Sequence, residues 1–231
     1  MREKIFAVDI DGTITENGLG KINLDALEAL RHMIDLGHKV ILVSGRSSVE
    51  GYVLSVFGGL TRIAVGENGG AITLGPSDHK LLGSKDECLK AFESLKSKMP
   101  EIREKPVFPR MTEVVLERNF DLEAAKKIIK DNGMSVELSD SQFAVHINSK
   151  GINKGSGFSE VLTMLSTSPT DVIAIGDSET DVPLFKMAGQ SIALGNAIES
   201  VKSQASMTVS GKAGDGVIEA LEYIAVKLAK V

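Results

Sequence analysis

The sequence predicts an α/β fold: a doubly wound parallel sheet covered by helices on both faces, with a small α+β domain inserted into the chain. Three observations support this prediction. Short apolar runs without polar alternation at residues 5–8, 39–43 and 171–175 are typical of strands buried on both faces of a sheet. Segments with helical spacing separate these runs, as in parallel crossovers. At residues 112–118, 134–138 and 143–148, by contrast, apolar and polar residues alternate.

The first third of the chain supplies three of the parallel strands. After the first run, Asn23 can cap a helix that ends at Gly37. The second strand, at 39–43, is followed by a helix and then by the third strand, at 62–65. Residues 71–74 and 80–82 are predicted to form a small hairpin.

A change of pattern at residue 84 marks the inserted domain. Ser84 and Glu87 have the spacing of a capping box, and the helix that they open carries Leu89, Phe92 and Leu95 on one face. The elements predicted after this helix are a strand at 112–118, a helix at 121–132 and strands at 134–138 and 143–148.

The parallel pattern returns after the insertion. The predicted elements are a helix from residue 153 to about 166, a strand at 171–175, a helix starting near 179, a strand at 191–194 and a last helix at 216–230. We therefore predict a core made of residues 1–83 and 151–231, with an α+β domain at residues 84–150.

Composition argues against several classes of function. With 42% hydrophobic and 25% charged residues among 231, the chain has the balance of a well-cored globular protein. A net charge of −5 and a pI near 5.5 predict no basic surface for nucleic acid. No apolar run approaches membrane-spanning length or a signal peptide. Cys88 is the single cysteine, which excludes an intrachain disulfide and fits a cytoplasmic location.

Asp9 and Asp11 stand where the first apolar run ends. Ligands of open parallel sheets bind beyond the carboxyl ends of the strands. Because alternate residues of a strand point the same way, the two carboxylates can converge on one small volume, where Mg²⁺ would hold them together. An alternative stays open, since Asp11 and Gly12 between apolar runs are also typical of a hairpin turn, with Ile14 starting a return strand.

A second acidic pair, Asp177 and Asp181, follows the strand at 171–175. Both pairs should lie at the same edge of the sheet, and together they predict a metal site. Helix capping is the alternative, because Ser178 and Asp181 have capping-box spacing and Pro183 suits a first helical turn.

Three further residues are candidates for binding phosphate. Ser44, followed by Gly45, offers a hydroxyl and nearby N–H groups to a phosphate at a helix N-terminus, although serine in such a turn is often a simple cap. Lys154 lies near a helix start, where the helix dipole and the ammonium both attract an anion. A solvated lysine is the alternative for that position.

The order of these motifs resembles that of the haloacid dehalogenase superfamily. Asp-x-Asp-Gly-Thr follows the first strand, Ser-Gly-Arg follows the second, Asn-Lys-Gly opens a later helix and Gly-Asp-x-x-x-Asp follows the next strand. The insertion between the second and third motifs is similar to the type 2 cap of the Cof-type branch, and its short length is most similar to archaeal-type phosphoglycolate phosphatases. Segments 67–69, 195–197 and 215–217 resemble secondary motifs of that branch. The resemblance implies a Rossmann-like core and a cap that sets specificity.

The resemblance also implies roles for the candidate residues. Asp9 would be the nucleophile that forms an aspartyl-phosphate, and Asp11 the acid and base. Mg²⁺ would be held by Asp9, Asp177, Asp181 and the main-chain carbonyl of Asp11. The residues that would bind phosphate are Ser44, Gly45 and Lys154.

The predicted function is Mg²⁺-dependent hydrolysis of small phosphomonoesters, with 2-phosphoglycolate as the substrate that the resemblance implies. A sugar-phosphate phosphatase, a phosphomutase and a nucleotide-binding regulatory module are the alternatives. Arg110 and Arg118 are candidates for a substrate carboxylate or for a solvated surface, and His146 for a substrate contact or for packing. The expected partner is a small phosphorylated metabolite, with no nucleic acid or membrane, and a homodimer stays open.

Overall fold

The computed structural model describes residues 3–16, 20–141 and 143–228, which form two sheets. The strands are β1 (Ile5–Val8), β2 (Lys39–Val43), β3 (Ala64–Gly66), β4 (Ala71–Gly75), β5 (Asp78–Leu81), β6 (Val114–Leu116), β7 (Val136–Asp140), β8 (Val145–Ser149), β9 (Val172–Gly176), β10 (Gln190–Ala193) and β11 (Met207–Thr208). The α-helices are α1 (Leu24–Asp35), α2 (Ser48–Gly58), α3 (Lys85–Lys98), α4 (Leu122–Asp131), α5 (Lys154–Leu165), α6 (Val182–Met187), α7 (Glu199–Lys202) and α8 (Ala213–Leu228).

The larger sheet has the strand order β11-β10-β9-β1-β2-β3-β4-β5. Neighbouring strands are parallel from β11 to β3, and β4 and β5 are added antiparallel at one edge. Because β1 pairs in parallel with both β2 and β9, the hairpin alternative at Asp11 and Gly12 is wrong. The chain instead makes a helical turn, in which the N–H groups of Thr13 and Ile14 donate to the Ile10 carbonyl.

Helices cover both faces of this sheet. On one face, Phe6 of β1 packs in a cluster with Leu30 of α1 and Leu221 of α8. On the other face, Ile5 of β1 packs in a cluster with Phe158 of α5. Successive residues of β1 are thus buried on opposite sides, which explains the continuous apolar run in the sequence. The predicted doubly wound α/β fold is confirmed.

The smaller sheet, β6-β8-β7, is antiparallel. Its apolar face shares one cluster with α3 and α4, in which Leu95 and Ile129 join Ile147. The predicted apolar face of α3 is wrong at Leu89, which is exposed, whereas Cys88 is buried. Cys88 and Leu95 lie two turns apart on one side of the helix, and Leu89 is rotated by about 100° from Cys88.

The opposite face of the smaller sheet is polar but buried. It includes Glu113, just before β6, with His146 and Asn148 of β8. These side chains are shielded from water because the face lies over a 3₁₀ turn, Glu67–Gly69, that follows β3 in the larger sheet. Asn148 Nδ2 donates to the Glu67 carbonyl at 3.4 Å. This face therefore looks towards the carboxyl edge of the larger sheet.

The domain limits at residues 84 and 150 stay predictions. The sequence does not predict α7 and β11, which have four and two residues and are too short to show a period. The last helix begins at Ala213, three residues earlier than predicted, and residues 229 and 230 of its predicted span lie outside the described residues. Within the described ranges, no helix is long and apolar enough to cross a membrane.

Gly69 allows the turn after β3 to touch the start of α5. Its φ is +101°, and a Cβ at this position would lie 2.0 Å from the Asn153 carbonyl oxygen. On the next turn of α5, a Cβ at Gly157 would lie 2.5 Å from the Gly69 Cα. Glycine is required at position 69, because any side chain would push these two backbones apart. The contact sets the position of the first residue of α5, Lys154.

We expect Gly69→Ala to destabilise the protein more than Gly133→Ala. Both glycines have positive φ, but no atom of the described residues lies within 4 Å of a Cβ at Gly133. The backbone conformation costs about 1–2 kcal/mol for alanine, and the clash at position 69 adds roughly 1–3 kcal/mol. Urea unfolding followed by circular dichroism measures both losses. Equal losses for the two variants would contradict the close approach of the two backbones.

Candidate active site

Asp9 lies one residue beyond β1, at the carboxyl end of the parallel strands. Its N–H donates to the Ile175 carbonyl of β9 at 3.0 Å, so the strand pairing also fixes the Asp9 backbone. The residue is buried, with 3% exposure. A carboxylate in such a place requires a compensating charge, because burial of an unpaired ion is strongly unfavourable.

Lys154, the first residue of α5, supplies this charge. Its Nζ lies 2.9 Å from Asp9 Oδ1 and 2.6 Å from Asp181 Oδ1. Burial alone would lower the pKa of Lys154, but Asp181 and Asp9 outweigh this effect and raise that pKa above its ordinary value. The side chain is 2% exposed, so the solvated alternative for Lys154 is wrong.

Asp181 uses both carboxylate oxygens inside the site. Oδ1 accepts from Lys154, and Oδ2 accepts from the Asp177 N–H at 3.1 Å, the Ser178 N–H at 2.9 Å and the Ser178 hydroxyl at 2.9 Å. The capping box from Ser178 to Asp181 is therefore present, together with a contact to the buried ammonium. The Asp181 side chain therefore both caps the helical turn and neutralises the Lys154 ammonium.

Asp177 is held by donors from two other loops. Thr13 Oγ1 donates to Asp177 Oδ1 at 2.9 Å, and Asn196 Nδ2 donates to Oδ2 at 2.8 Å. Asn196 Nδ2 also donates to the Gly12 carbonyl at 2.9 Å. The loops that follow β1, β9 and β10 thus meet around one carboxylate.

Asp9, Asp177 and Asp181 form an acidic cluster, in which one carboxylate oxygen from each lies within 4.8 Å of the others. Burial and the Asp181 charge raise the pKa of Asp9 well above its usual range, although Lys154 opposes this. The same two causes raise the pKa of Asp177 to about 7. The single positive charge of Lys154 therefore does not neutralise the three carboxylates. A cluster of carboxylate oxygens with excess negative charge fits a hard divalent cation.

Asp11 does not join the acidic cluster, although it lines the same cavity as Asp9. Its Oδ2 and Oδ1 accept from Arg46 Nε and Nη2 at 2.7 and 2.8 Å. The hydrogen bond to Asp11 is the main cause that raises the pKa of Arg46, to which Glu50 also contributes. The Asp11 side chain points away from the acidic cluster because β1 ends at Val8 and the chain turns after Ile10, whose carbonyl accepts from the Thr13 and Ile14 N–H groups. The prediction that Asp11 binds the metal concerns its main-chain carbonyl and does not depend on this side chain.

Ser44 lies at the end of β2, and its hydroxyl accepts from the Arg46 N–H at 3.1 Å. The helix that follows begins at Ser48, and its N-cap is Ser47. Ser44 is therefore neither the helix cap nor part of the helix N-terminus, because three residues separate it from the first helical residue. Phosphate binding by Ser44 and Gly45 stays a prediction.

A cavity of about 630 Å³ lies between the acidic cluster and the smaller sheet, and this volume is typical of small-molecule sites. The predicted site residues that line it are Asp9, Asp11, Ser44, Gly45, Lys154 and Asp177. From the other side it is lined by Phe108, Arg110, Ser141, Phe143 and His146. Asp181 contacts Lys154, is fully buried and does not belong to the described lining.

The structure separates the candidates in the inserted segment. Arg110 lines the cavity with a side chain that is 7% exposed. Arg118 is half exposed, is paired with Asp140 at 2.9 Å and does not belong to the described lining of the cavity. His146 lines the cavity, but its Nδ1 is hydrogen bonded to Glu113 at 2.9 Å. The solvated alternative is therefore wrong for Arg110.

Glu67 joins the polar face of the smaller sheet to the core. Its carboxylate accepts from the Met111 N–H at 2.9 and 3.0 Å, and from the Thr112 N–H and hydroxyl at 2.7 Å each. Its own N–H donates to the Arg46 carbonyl at 2.7 Å. The φ of Glu67 is +55°, which is unfavourable for a residue other than glycine. Charge-assisted hydrogen bonds stabilise this conformation.

Four residues with close contacts at the site have no predicted role from sequence: Thr13, Arg46, Glu67 and Asn196. Each of them stands inside a recognised motif or secondary motif, so a signal was present. Their partners are carboxylates and main-chain groups from distant parts of the chain, which a motif does not identify. Glu113 has no comparable signal in the sequence.

Comparison with known proteins gives a family and close relatives. A family model described as haloacid dehalogenase-like hydrolase matches residues 6–99 and 84–221. A Nitrosopumilus maritimus (strain SCM1) protein named phosphoglycolate phosphatase is 62% identical over 231 residues, which is 100% of both chains. A Methanosarcina mazei protein of the same name is 36% identical over 97% of each chain.

The fold is similar to that of a solved structure, Thermoplasma acidophilum 0175. The TM-score is 0.86 with 22% identity, and the match covers 98% of this chain and 100% of the other. At this identity the likeness shows the fold alone.

The raised pKa of Asp177 predicts a pH dependence of stability in metal-free buffer. The folded protein holds this proton with a pKa of about 7, whereas the ordinary value is 3.8. The resulting stabilisation is fully present below about pH 4 and is lost as the pH rises through about 7. We expect the melting temperature in EDTA to fall between about pH 5 and pH 8, and to fall less in Asp177→Asn, which lacks this carboxyl.

Asp35→Asn is the matched control, because Asp35 is exposed near the end of α1. Its melting temperature should follow that of the unsubstituted protein across the series. If Asp177→Asn lost stability with pH as steeply as both of these proteins, the raised pKa of Asp177 would be contradicted.

Proposed function

This chain belongs to the haloacid dehalogenase-like hydrolase family, and we propose that it hydrolyses 2-phosphoglycolate through a phosphorylated Asp9. The predicted family and the predicted enzyme class, phosphoric monoester hydrolase, are confirmed. The relatives named phosphoglycolate phosphatase support the choice of substrate, since they are similar over nearly the full chain. A regulatory module without catalysis is set aside, because the matching family model is described as a hydrolase and the relatives are named as phosphatases.

The observation that carries the proposal is the burial of Lys154 between Asp9 and Asp181 at one side of the cavity. A carboxylate repels a phosphate, and this repulsion is the main obstacle to using Asp9 as a nucleophile. The ammonium offsets the repulsion from a distance of 2.9 Å. Asp9 is 3% exposed and Lys154 2%, so water screens the attraction only weakly.

In the first proposed step, an Asp9 oxygen attacks phosphorus while the bond from phosphorus to the ester oxygen breaks. The leaving oxygen takes a proton from Asp11, which borders the same cavity two residues along the chain. The products are glycolate and phosphorylated Asp9.

In the second proposed step, Asp11 accepts a proton from water as the water oxygen attacks phosphorus. The bond between phosphorus and Asp9 breaks, and inorganic phosphate leaves. The observed contact of Arg46 with both oxygens of Asp11 suits this step, because it stabilises the carboxylate that acts as base. In the first step Asp11 needs its proton, so this contact must then loosen.

The acidic cluster fits the predicted Mg²⁺ site. We propose that Asp9, Asp177 and the Asp11 main-chain carbonyl hold the ion, and that Asp181 adds negative charge beside it. The oxygens of Asp181 already accept four hydrogen bonds from Lys154 and the 177–178 loop. When bound, the ion would supply positive charge to the phosphoryl oxygens.

A sugar-phosphate phosphatase is the second candidate, because the cavity of about 630 Å³ is larger than a two-carbon ester needs. A phosphomutase would return the phosphoryl group to a sugar and would release little phosphate. Two further points stay predictions: a cytoplasmic location and a possible homodimer. The expected partner, a small phosphorylated metabolite and neither nucleic acid nor a membrane, also stays a prediction.

A phosphate-release screen tests the proposed substrate and cofactor. We expect kcat/KM to be highest for 2-phosphoglycolate among hexose phosphates, nucleotides and phosphopeptides, because relatives with that name cover the whole chain. EDTA should abolish the release, and Mg²⁺ should restore it.

Different failures of this screen have different meanings. A hexose phosphate or phosphopeptide that ranks clearly first would overturn the substrate assignment and leave the role of Asp9 standing. Full activity in EDTA would overturn the metal proposal. A conversion between sugar phosphates without net release would indicate a mutase.

Substitution of Asp9 and of Asp11 tests the mechanism. We expect Asp9→Asn to abolish phosphate release, because an amide does not form the phosphorylated intermediate. Asp11→Asn should lower kcat by about 10²–10⁴-fold, the usual effect of losing a general acid or base. Asp35→Asn is the control and should keep full activity. A folded Asp9→Asn protein with a kcat comparable to the control would refute the mechanism.

A further inference from the structure

Arg110 is buried at the cavity without the hydrogen bonds that a guanidinium requires. Its side chain is 7% exposed, and within the described part of the chain its Nε and Nη1 have no hydrogen-bond partner. Buried donors without partners are unfavourable, more so when they carry charge. Because Arg110 also lines the cavity, a small shift of its side chain towards a ligand there would give these donors the acceptors that they lack.

Glu113 lies close to Arg110 but does not use these donors. Its Oε1 is 3.5 Å from Arg110 Nε and makes no hydrogen bond within the described residues. Its Oε2 accepts from Asn148 Nδ2 at 3.0 Å and is hydrogen bonded to His146 Nδ1 at 2.9 Å. Burial alone would raise the pKa of Glu113, but His146 and Arg110 outweigh it and lower that pKa. Glu113 therefore balances the charge of Arg110 and leaves its donors unused.

The opposite side of the cavity carries Lys154 beside Asp9, where phosphate is proposed to react. The cavity thus has one buried cation on each side, Lys154 from the start of α5 and Arg110 from the segment before β6. A ligand with a phosphate at one end and a second anionic group at the other is complementary to this arrangement. A planar carboxylate suits the fork of N–H groups on a guanidinium.

We propose that Arg110, positioned by Glu113, binds the carboxylate of the substrate and so determines its specificity. This inference rests on the proposed function, since it takes the phosphate to lie at Asp9 and Lys154. Arg118 has no part in it, because Arg118 pairs with Asp140 and stands apart from the cavity.

A purely structural role is the competing explanation for Arg110. In that case Arg110 would serve only as the counter-charge of buried Glu113, and its removal would weaken every ligand alike. Two ligands that differ only in a carboxylate distinguish these roles. The pair 3-phosphonopropionate and propylphosphonate meets this need, because neither can be hydrolysed and only the first bears a carboxylate.

The experiment is calorimetric titration of the full-length protein with each phosphonate in the presence of Mg²⁺. The proteins are the unsubstituted chain, Arg110→Met, Arg110→Lys and, as control, Arg118→Met. The unsubstituted protein and the control should bind 3-phosphonopropionate more tightly than propylphosphonate, by roughly 30-fold or more. Arg110→Met should remove this preference with the affinity for propylphosphonate unchanged.

Arg110→Lys tests the fork geometry and replaces the methionine variant if that variant does not fold. Because lysine keeps the charge and loses the bidentate contact, its preference should be intermediate. The proposal is overturned if the unsubstituted protein binds both phosphonates equally, or if Arg110 variants keep the preference or lose both ligands to the same degree. Hydrolysis of 2-phosphoglycolate by the unsubstituted protein is measured separately, so a failure of the proposed function is seen independently of the binding result.

Discussion

The buried contact of Lys154 with Asp9 and Asp181 is the interaction on which the rest of the site depends. An ammonium withdrawn from water is unfavourable by several kcal/mol unless well-placed anions surround it. Asp9 directly follows β1, Asp181 lies in the loop five residues after β9, and the lysine comes from the start of α5. The Lys154 ammonium can therefore be buried only when the strands have paired in parallel and Gly69 is in contact with the start of α5.

Much of this arrangement can be predicted from the sequence, because it depends on a simple rule. Parallel strands end at one edge of a sheet, so Asp9 and Asp177 could be assigned to the same site from the apolar runs before them. Asn23, Ser84 and Asn153 start helices through contacts within three residues, and local contacts of this kind leave a readable pattern.

Other features depend on contacts between distant residues and leave no such pattern. Arg46 meets Asp11 across 35 positions of sequence, and Thr112 meets Glu67 across 45. From the sequence alone, Glu113 has the pattern of a surface residue in an alternating strand. It is buried only because the smaller sheet faces the larger one. The direction of the Asp11 side chain was also beyond prediction, since one helical turn after Ile10 redirects it.

The hydrogen bonds that Met111 and Thr112 donate to Glu67 join the two sheets and would act as a pivot in any rotation of one sheet against the other. If the inserted segment rotates to admit a ligand, each part of it moves by an amount that grows with its distance from this pivot. Arg110 is the neighbour of Met111 and so remains almost stationary, whereas remote parts of the segment follow wide arcs. The entrance of the cavity can then widen while its guanidinium keeps its place above the buried ammonium.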